Sequence, residues 1–106
     1  MNKTKEALRL YLNAMDSNPN NIHLLSCIGV ALKNTRRIDD SIVFFKNVLK
    51  LDPKNAKAYY NLGWGMYCLK NLRLAIQHYR KSIELNPTAL AYKNLGVTLF
   101  EIGQKA

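Results

Sequence analysis

Three prolines punctuate this chain at a fixed interval. Pro19, Pro53 and Pro87 are its only prolines, and each stands 34 residues from the next. Each follows a short polar residue, in Asn18-Pro19, Asp52-Pro53 and Asn86-Pro87. Proline has no N–H to donate, and its ring pushes the preceding residue out of the helical region, so each pair marks a helix end. A constant period of this size is the signature of one small supersecondary unit copied along the chain.

The segments between the stops repeat in two halves. After Pro53 comes Ala56-Lys57-Ala58-Tyr59-Tyr60-Asn61-Leu62-Gly63, and after Pro87 comes Ala89-Leu90-Ala91-Tyr92-Lys93-Asn94-Leu95-Gly96. Leu25, Ile28 and Gly29 occupy the same slots in a looser first copy. Gly29 and Gly63 are 34 residues apart but Gly63 and Gly96 only 33, so one residue is missing near Thr88, in a loop where its loss costs no packing. The second halves read Ala7, Tyr11, Ala14, then Ser41, Phe45, Val48, then Ala75, Tyr79, Ser82. Spacings of four and three put each trio on one helical face.

Glycine inside a helix costs about 1 kcal/mol relative to alanine. A cost that recurs at one register predicts close approach of a neighbouring backbone at Gly29, Gly63 and Gly96. The small residues Ala7, Ser41 and Ala75 would supply the matching hollow, with Tyr11, Phe45 and Tyr79 filling the next layer. Val48 is bulky for its slot.

Leu-Gly in one helix, a small residue and then an aromatic in the next, and proline closing the unit at 34 together resemble the tetratricopeptide repeat. The resemblance covers the whole chain; single motifs of this kind are weak, but their recurrence in phase is specific. It implies an all-α fold, a right-handed α-solenoid of antiparallel helix pairs. Six helices are expected, over 3–17, 22–34, 39–51, 56–69, 72–85 and 89–102. Residues 1–106 then form a single array: a half repeat at 1–21 with the second helix only, full repeats at 22–55 and 56–88, and a half repeat at 89–106 with the first helix only. Leu8, Leu12 and Met15, and Leu95, Leu99 and Ile102, would each lack part of a partner helix. The expectation is a piece of a longer array, or copies that complete one another's half repeats head to tail.

Composition narrows the functional classes. At 106 residues the chain is one domain at most, and 48% hydrophobic content argues for a folded core. No apolar run approaches the ~20 residues of a membrane span, and the polar start Met1-Asn2-Lys3-Thr4-Lys5-Glu6 is no secretory signal. Cys27 and Cys68 lack metal-ligand spacing and are read as reduced thiols of a cytoplasmic protein. His23 and His78 lie in different repeats, and no nucleophile, carboxylate or glycine-rich phosphate loop accompanies them. The expectation is therefore no enzyme, no cofactor and no metal site.

The formal charge of +9 favours anionic partners, or else marks a solvated basic exterior. Arg9, Lys46, Lys50, Arg80 and Lys81 fall on the outward side of the second helices, with Arg36-Arg37 at a turn. Pentatricopeptide arrays of similar period read RNA, but they lack this Leu-Gly and proline signature, and no ordered base-reading pairs occur here. A nucleic-acid partner is not expected.

Helix 56–69 is the informative one. Its core face is Tyr59, Leu62, Gly63, Met66 and Leu69, while Lys57, Tyr60, Asn61, Trp64, Tyr67 and Cys68 fall on the opposite side. A helix apolar nearly all round is buried or lines a groove. In repeats of this type the first helices line the concave surface, so the resemblance points these residues into it; otherwise the aromatics pack against neighbouring first helices. Flanking helices would add His23, Ser26, Cys27, Val30 and Lys33, and Leu90, Lys93, Asn94, Val97 and Phe100. Asn61 and Asn94 share a repeat position, and a carboxamide offers donor and acceptor together, as in the asparagine ladder of superhelices that hold peptides by the main chain. Cys27, on the third rung, breaks that ladder. The carboxylate clamp of chaperone-docking members is absent: Ser26, Val30, Leu90 and Asn94 replace its lysines, asparagine and arginine, and Asn61 alone matches.

The expected function is a scaffold binding a peptide or partner protein in the concave groove. Tyr60, Trp64 and Tyr67 would anchor it, Asn61 and Asn94 hold its backbone, and Lys57 and Lys93 favour acidic segments. The rivals are a self-assembling segment and a targeting module of a larger enzyme.

Overall fold

The computed structural model describes residues 2–105. Among the described residues there are six α-helices and no strand: α1 (Asn2–Ser17), α2 (Ile22–Asn34), α3 (Ile38–Leu51), α4 (Ala56–Cys68), α5 (Leu72–Leu85) and α6 (Ala89–Lys105). The all-α, paired-helix architecture expected from the repeat is the one observed. α1, α3 and α5 each stop one residue before the polar–proline pair ends them, at Ser17, Leu51 and Leu85. α6 runs beyond the expected Ile102, through Gly103, whose backbone stays helical.

Helix starts are written in the loops. Asn21, Asn55 and Asn71 accept hydrogen bonds from the backbone N–H groups of Leu24, Ala58 and Leu74 at 3.0, 2.9 and 3.3 Å. Thr88 Oγ1 does the same for Ala91 N–H at 3.2 Å. Each such cap contributes about 1 kcal/mol. The one-residue deletion before α6 therefore shortened the loop and kept a cap. Between α2 and α3, and again between α4 and α5, the chain reverses through a left-handed residue: Arg36 (φ 66°) and Lys70 (φ 67°). Arg37 N–H bonds Leu32 C=O and Asn71 N–H bonds Met66 C=O, at 2.9 and 2.8 Å. This is the six-to-one closure that satisfies the last carbonyls of a helix.

The chain divides into two compact units, Met1–Pro53 and Lys54–Ala106. In the first, α2 packs on both α1 and α3. Leu8, Ile28, Ala31 and Leu32 form a buried cluster to which Tyr11, Met15, Leu24 and Phe44 add partly buried area. Val48, despite its bulk, is completely buried. In the second unit, α5 packs on both α4 and α6. Ala58, Leu62, Met66, Leu72, Ala75, Tyr79 and Ala91 are buried there, and full burial of a large apolar side chain contributes about 1.5–3 kcal/mol. Ser82, the polar counterpart of Val48, donates its hydroxyl to Ala56 C=O at 2.9 Å.

The recurrent glycine has a different neighbour from the one expected. A Cβ built on Gly29 would lie 2.6 Å from the Phe45 ring, and one on Gly63 would lie 2.7 Å from the Tyr79 ring. The glycine thus makes room for an aromatic face of the following helix, not for a backbone. At Gly96 a Cβ would meet nothing within 4 Å. Leu69 also departs from expectation, being exposed at the C-cap of α4, because the helix ends one residue earlier than foreseen. Tyr59 is half-buried, its ring 6.1 Å from that of His78.

Candidate functional site: the α4–α6 face

The second unit brings two first helices side by side. Tyr60 on α4 meets Asn94 on α6, where the carboxamide Nδ2 donates to the tyrosine hydroxyl at 2.8 Å. Two helical turns further on, the Tyr67 hydroxyl donates to Glu101 Oε1 at 2.5 Å. Both pairs span 34 residues and both advance in the same direction, so α4 and α6 run parallel with matched rise. Tyr60, Trp64 and Tyr67 follow one another at intervals of four and three, which places Trp64 between the two bridges on the same stripe of α4. All three aromatics are half-buried.

Beneath this stripe lies Tyr79, 1% exposed, its ring centroid 5.8 Å from that of Tyr60. Burial pushes its phenol well above the ordinary range, with the Tyr60 hydroxyl adding to the effect and the Asn94 carboxamide opposing it. Tyr67 is raised as well, first because its hydroxyl is bonded to the Glu101 carboxylate and second by desolvation. Both phenols stay protonated throughout the physiological range.

At the start of the two helices the face opens into a cavity of about 290 Å³. Ala56, Lys57, Tyr60 and Asn61 wall it from α4, Leu90 from α6, and Ser82, Asn86 and Thr88 from the end of α5 and the following loop. Its lining is mainly hydrocarbon, with amides and one exposed ammonium at the edge. Such a hollow suits an apolar group tethered to hydrogen-bonding and anionic ones.

The structure thus gathers Lys57, Tyr60 and Asn61 at the cavity and joins Tyr60 to Asn94. Trp64 shares the stripe without walling the cavity, and Lys93 is exposed on α6 outside it. Asn94 has one amide donor engaged by Tyr60, so this rung also fixes α6 against α4. Glu101 was not foreseen as the partner of Tyr67, whereas Leu90, expected on the flanking face of α6, walls the cavity. The repeat register did not point to Glu101, because the Leu-Gly motifs of α4 and α6 lie 33 residues apart whereas Tyr67 and Glu101 lie 34 apart. Among the described residues no group of three or more His, Cys, Asp or Glu is placed to hold a metal ion. The outward cations behave as surface charge: Arg9, Lys46, Lys50 and Arg80 are exposed, Arg37 pairs with Asp40 at 2.8 Å, and Lys81 pairs with Glu84 at 3.1 Å.

Two family models, each described as tetratricopeptide repeat, match residues 27–55 and 56–89, together more than half of the chain. The chain belongs to the tetratricopeptide repeat family. Among tetratricopeptide proteins it is 30% identical over 82 residues to the small glutamine-rich tetratricopeptide repeat-containing protein 2 of Mycosarcoma maydis, a match covering 77% of this chain and 23% of that protein. It spans less than a quarter of the length of the curated relatives it matches. The crystal structure of MamA superposes with a TM-score of 0.87 at 30% identity, over 94% of this chain and 59% of that one. The first tetratricopeptide domain of Spaghetti (RPAP3), solved with the HSP90 peptide SRMEEVD, superposes at 0.91 with 23% identity, over 96% and 82% respectively. No helix among the described residues is long and apolar enough to cross a membrane.

Proposed function

We propose that this chain is a protein-interaction module that holds an extended, acidic segment of a partner protein along the α4–α6 face. The observation that carries the reading is a 290 Å³, mostly apolar cavity opening beside an aromatic stripe and an exposed ammonium. Tyr60, Trp64 and Tyr67 anchor apolar parts of the ligand, Asn61 and Asn94 bond its main chain, and Lys57 and Lys93 meet its carboxylates. The charge balance supports an acidic ligand: α4 has no carboxylate, and the one on α6, Glu101, already accepts a hydrogen bond from the Tyr67 hydroxyl.

The fold is compatible with this use, since the RPAP3 domain was solved holding a peptide that is itself acidic. The proposed ligand differs in one respect. Leu90 lines the cavity where a carboxylate clamp would place a cation, so the site takes an internal segment by its backbone and an apolar side chain, not a chain terminus.

Trp64 is the chain's single tryptophan, so its fluorescence reports directly on the stripe. Titration against a panel of acidic and basic extended peptides should give tighter binding for acidic ones, weakened by salt as exposed charges are screened. Trp64→Ala, followed calorimetrically, should lose about 2 kcal/mol of binding, the usual contribution of a desolvated aromatic anchor. Unchanged affinity in a variant that still folds would remove Trp64 from the site.

A further inference from the structure

We infer that Tyr60 sets the chemistry of the ligand: Asn94 turns its hydroxyl into a hydrogen-bond donor, so the cavity selects an oxygen acceptor. This holds only if the cavity is where the ligand sits, and it adds to that reading what the ligand must present there. The Asn94 carboxamide donates through Nδ2 to the Tyr60 hydroxyl oxygen at 2.8 Å. The same carboxamide is a hydrogen-bond partner of the buried Tyr79 hydroxyl, so it is held at two points. The Tyr60 ring leans on that of Tyr79, with 5.8 Å between centroids. A tyrosine hydroxyl has one hydrogen to give and lone pairs to receive. With the amide seated on its oxygen, the Tyr60 hydrogen is directed away from Asn94 and meets no acceptor among the described residues.

Tyr60 also walls the cavity, together with Lys57, whose ammonium likewise only donates. Ser82, another wall residue, spends its hydrogen on Ala56 C=O at 2.9 Å, and none of the described walls is a carboxylate. The hydrocarbon of Ala56 and Leu90 takes an apolar side chain. The ligand that satisfies both parts has a carbonyl or carboxylate oxygen next to an apolar side chain. An N–H or a cation at the same place would set hydrogen against hydrogen and lose the bond. Asn94 acts through Tyr60 as a positioning residue, with its Oδ1 left for the ligand's main chain.

Exchanging the carboxamide for a carboxylate reverses the bond. In Asn94→Asp the carboxylate only accepts, so the Tyr60 hydroxyl donates to it and turns lone pairs to the cavity. The probe is a capped peptide with one leucine between glutamates, titrated calorimetrically into the parent, Tyr60→Phe, Asn94→Asp and the double variant. Tyr60→Phe should weaken binding about fivefold in the parent, and by less than about twofold on the Asn94→Asp background. The new charge acts on both members of the second pair alike and cancels. Equal losses on the two backgrounds, or no loss on either, would overturn the inference while the cavity remains a ligand site. No chemical-shift change at Lys57, Tyr60 and Asn61 with the peptide would instead refute the cavity as the ligand site, and this inference with it. One readout needs neither ligand nor Asn94→Asp: the Asn94 side-chain amide should exchange with water faster in a Tyr60→Phe variant that melts as the parent does. Unchanged exchange would overturn the inference whatever the peptide does.

Discussion

Leu62-Gly63 and Leu95-Gly96 are the same two residues at the same repeat position, and they live in opposite surroundings. Gly63 sits so tightly under Tyr79 that a methyl group would lie 2.7 Å from the ring, while Gly96 faces open space. The motif specifies what a first helix is prepared to pack against; the neighbouring second helix decides whether that preparation is used. Gly63 is thus a packing residue, whereas nothing within this chain packs over Gly96.

This contrast can be broken by substitution. Gly63→Ala should destabilise by about 1–3 kcal/mol, because the Tyr79 ring has to move within a packed interior. Gly96→Ala should do the reverse and raise stability by about 1 kcal/mol, the full difference in helix propensity. Thermal melts of the two variants side by side are the check, and equal effects would abolish the distinction. The turns sharpen it further. Lys70 holds a left-handed φ of 67°, whereas Gly103, its counterpart in α6, is helical. Lys70→Gly should stabilise by about 0.5 kcal/mol, relief of backbone strain being partly offset by the greater freedom of unfolded glycine.

Much of this was legible in the residues. The proline interval fixed the ends of α1, α3 and α5, and the trios Ser41, Phe45, Val48 and Ala75, Tyr79, Ser82 were recognisable as buried faces from spacing alone. Local signals of this sort survive because each depends on one helix and its immediate stop. What the glycine touches was not legible, since a small residue states that something is close without stating whether it is a ring or a backbone. The partners of the stripe were harder still. Tyr60 and Asn94, or Tyr67 and Glu101, meet only because two helices separated by a third come together in parallel, and the one-residue deletion near Thr88 offsets their register from the repeat. Cavities escape sequence reading for the same reason: the hollow at Tyr60 and Leu90 is made by three segments at once.

The α4–α6 face is the proposed ligand surface. Amide chemical-shift mapping of the whole 106-residue chain with an acidic extended peptide tests it most directly. The predicted outcome is a continuous set of perturbed resonances at Lys57, Tyr60, Asn61, Trp64 and Asn94. Perturbations confined to the outward cations Arg9, Lys46, Lys50 and Arg80 would contradict it.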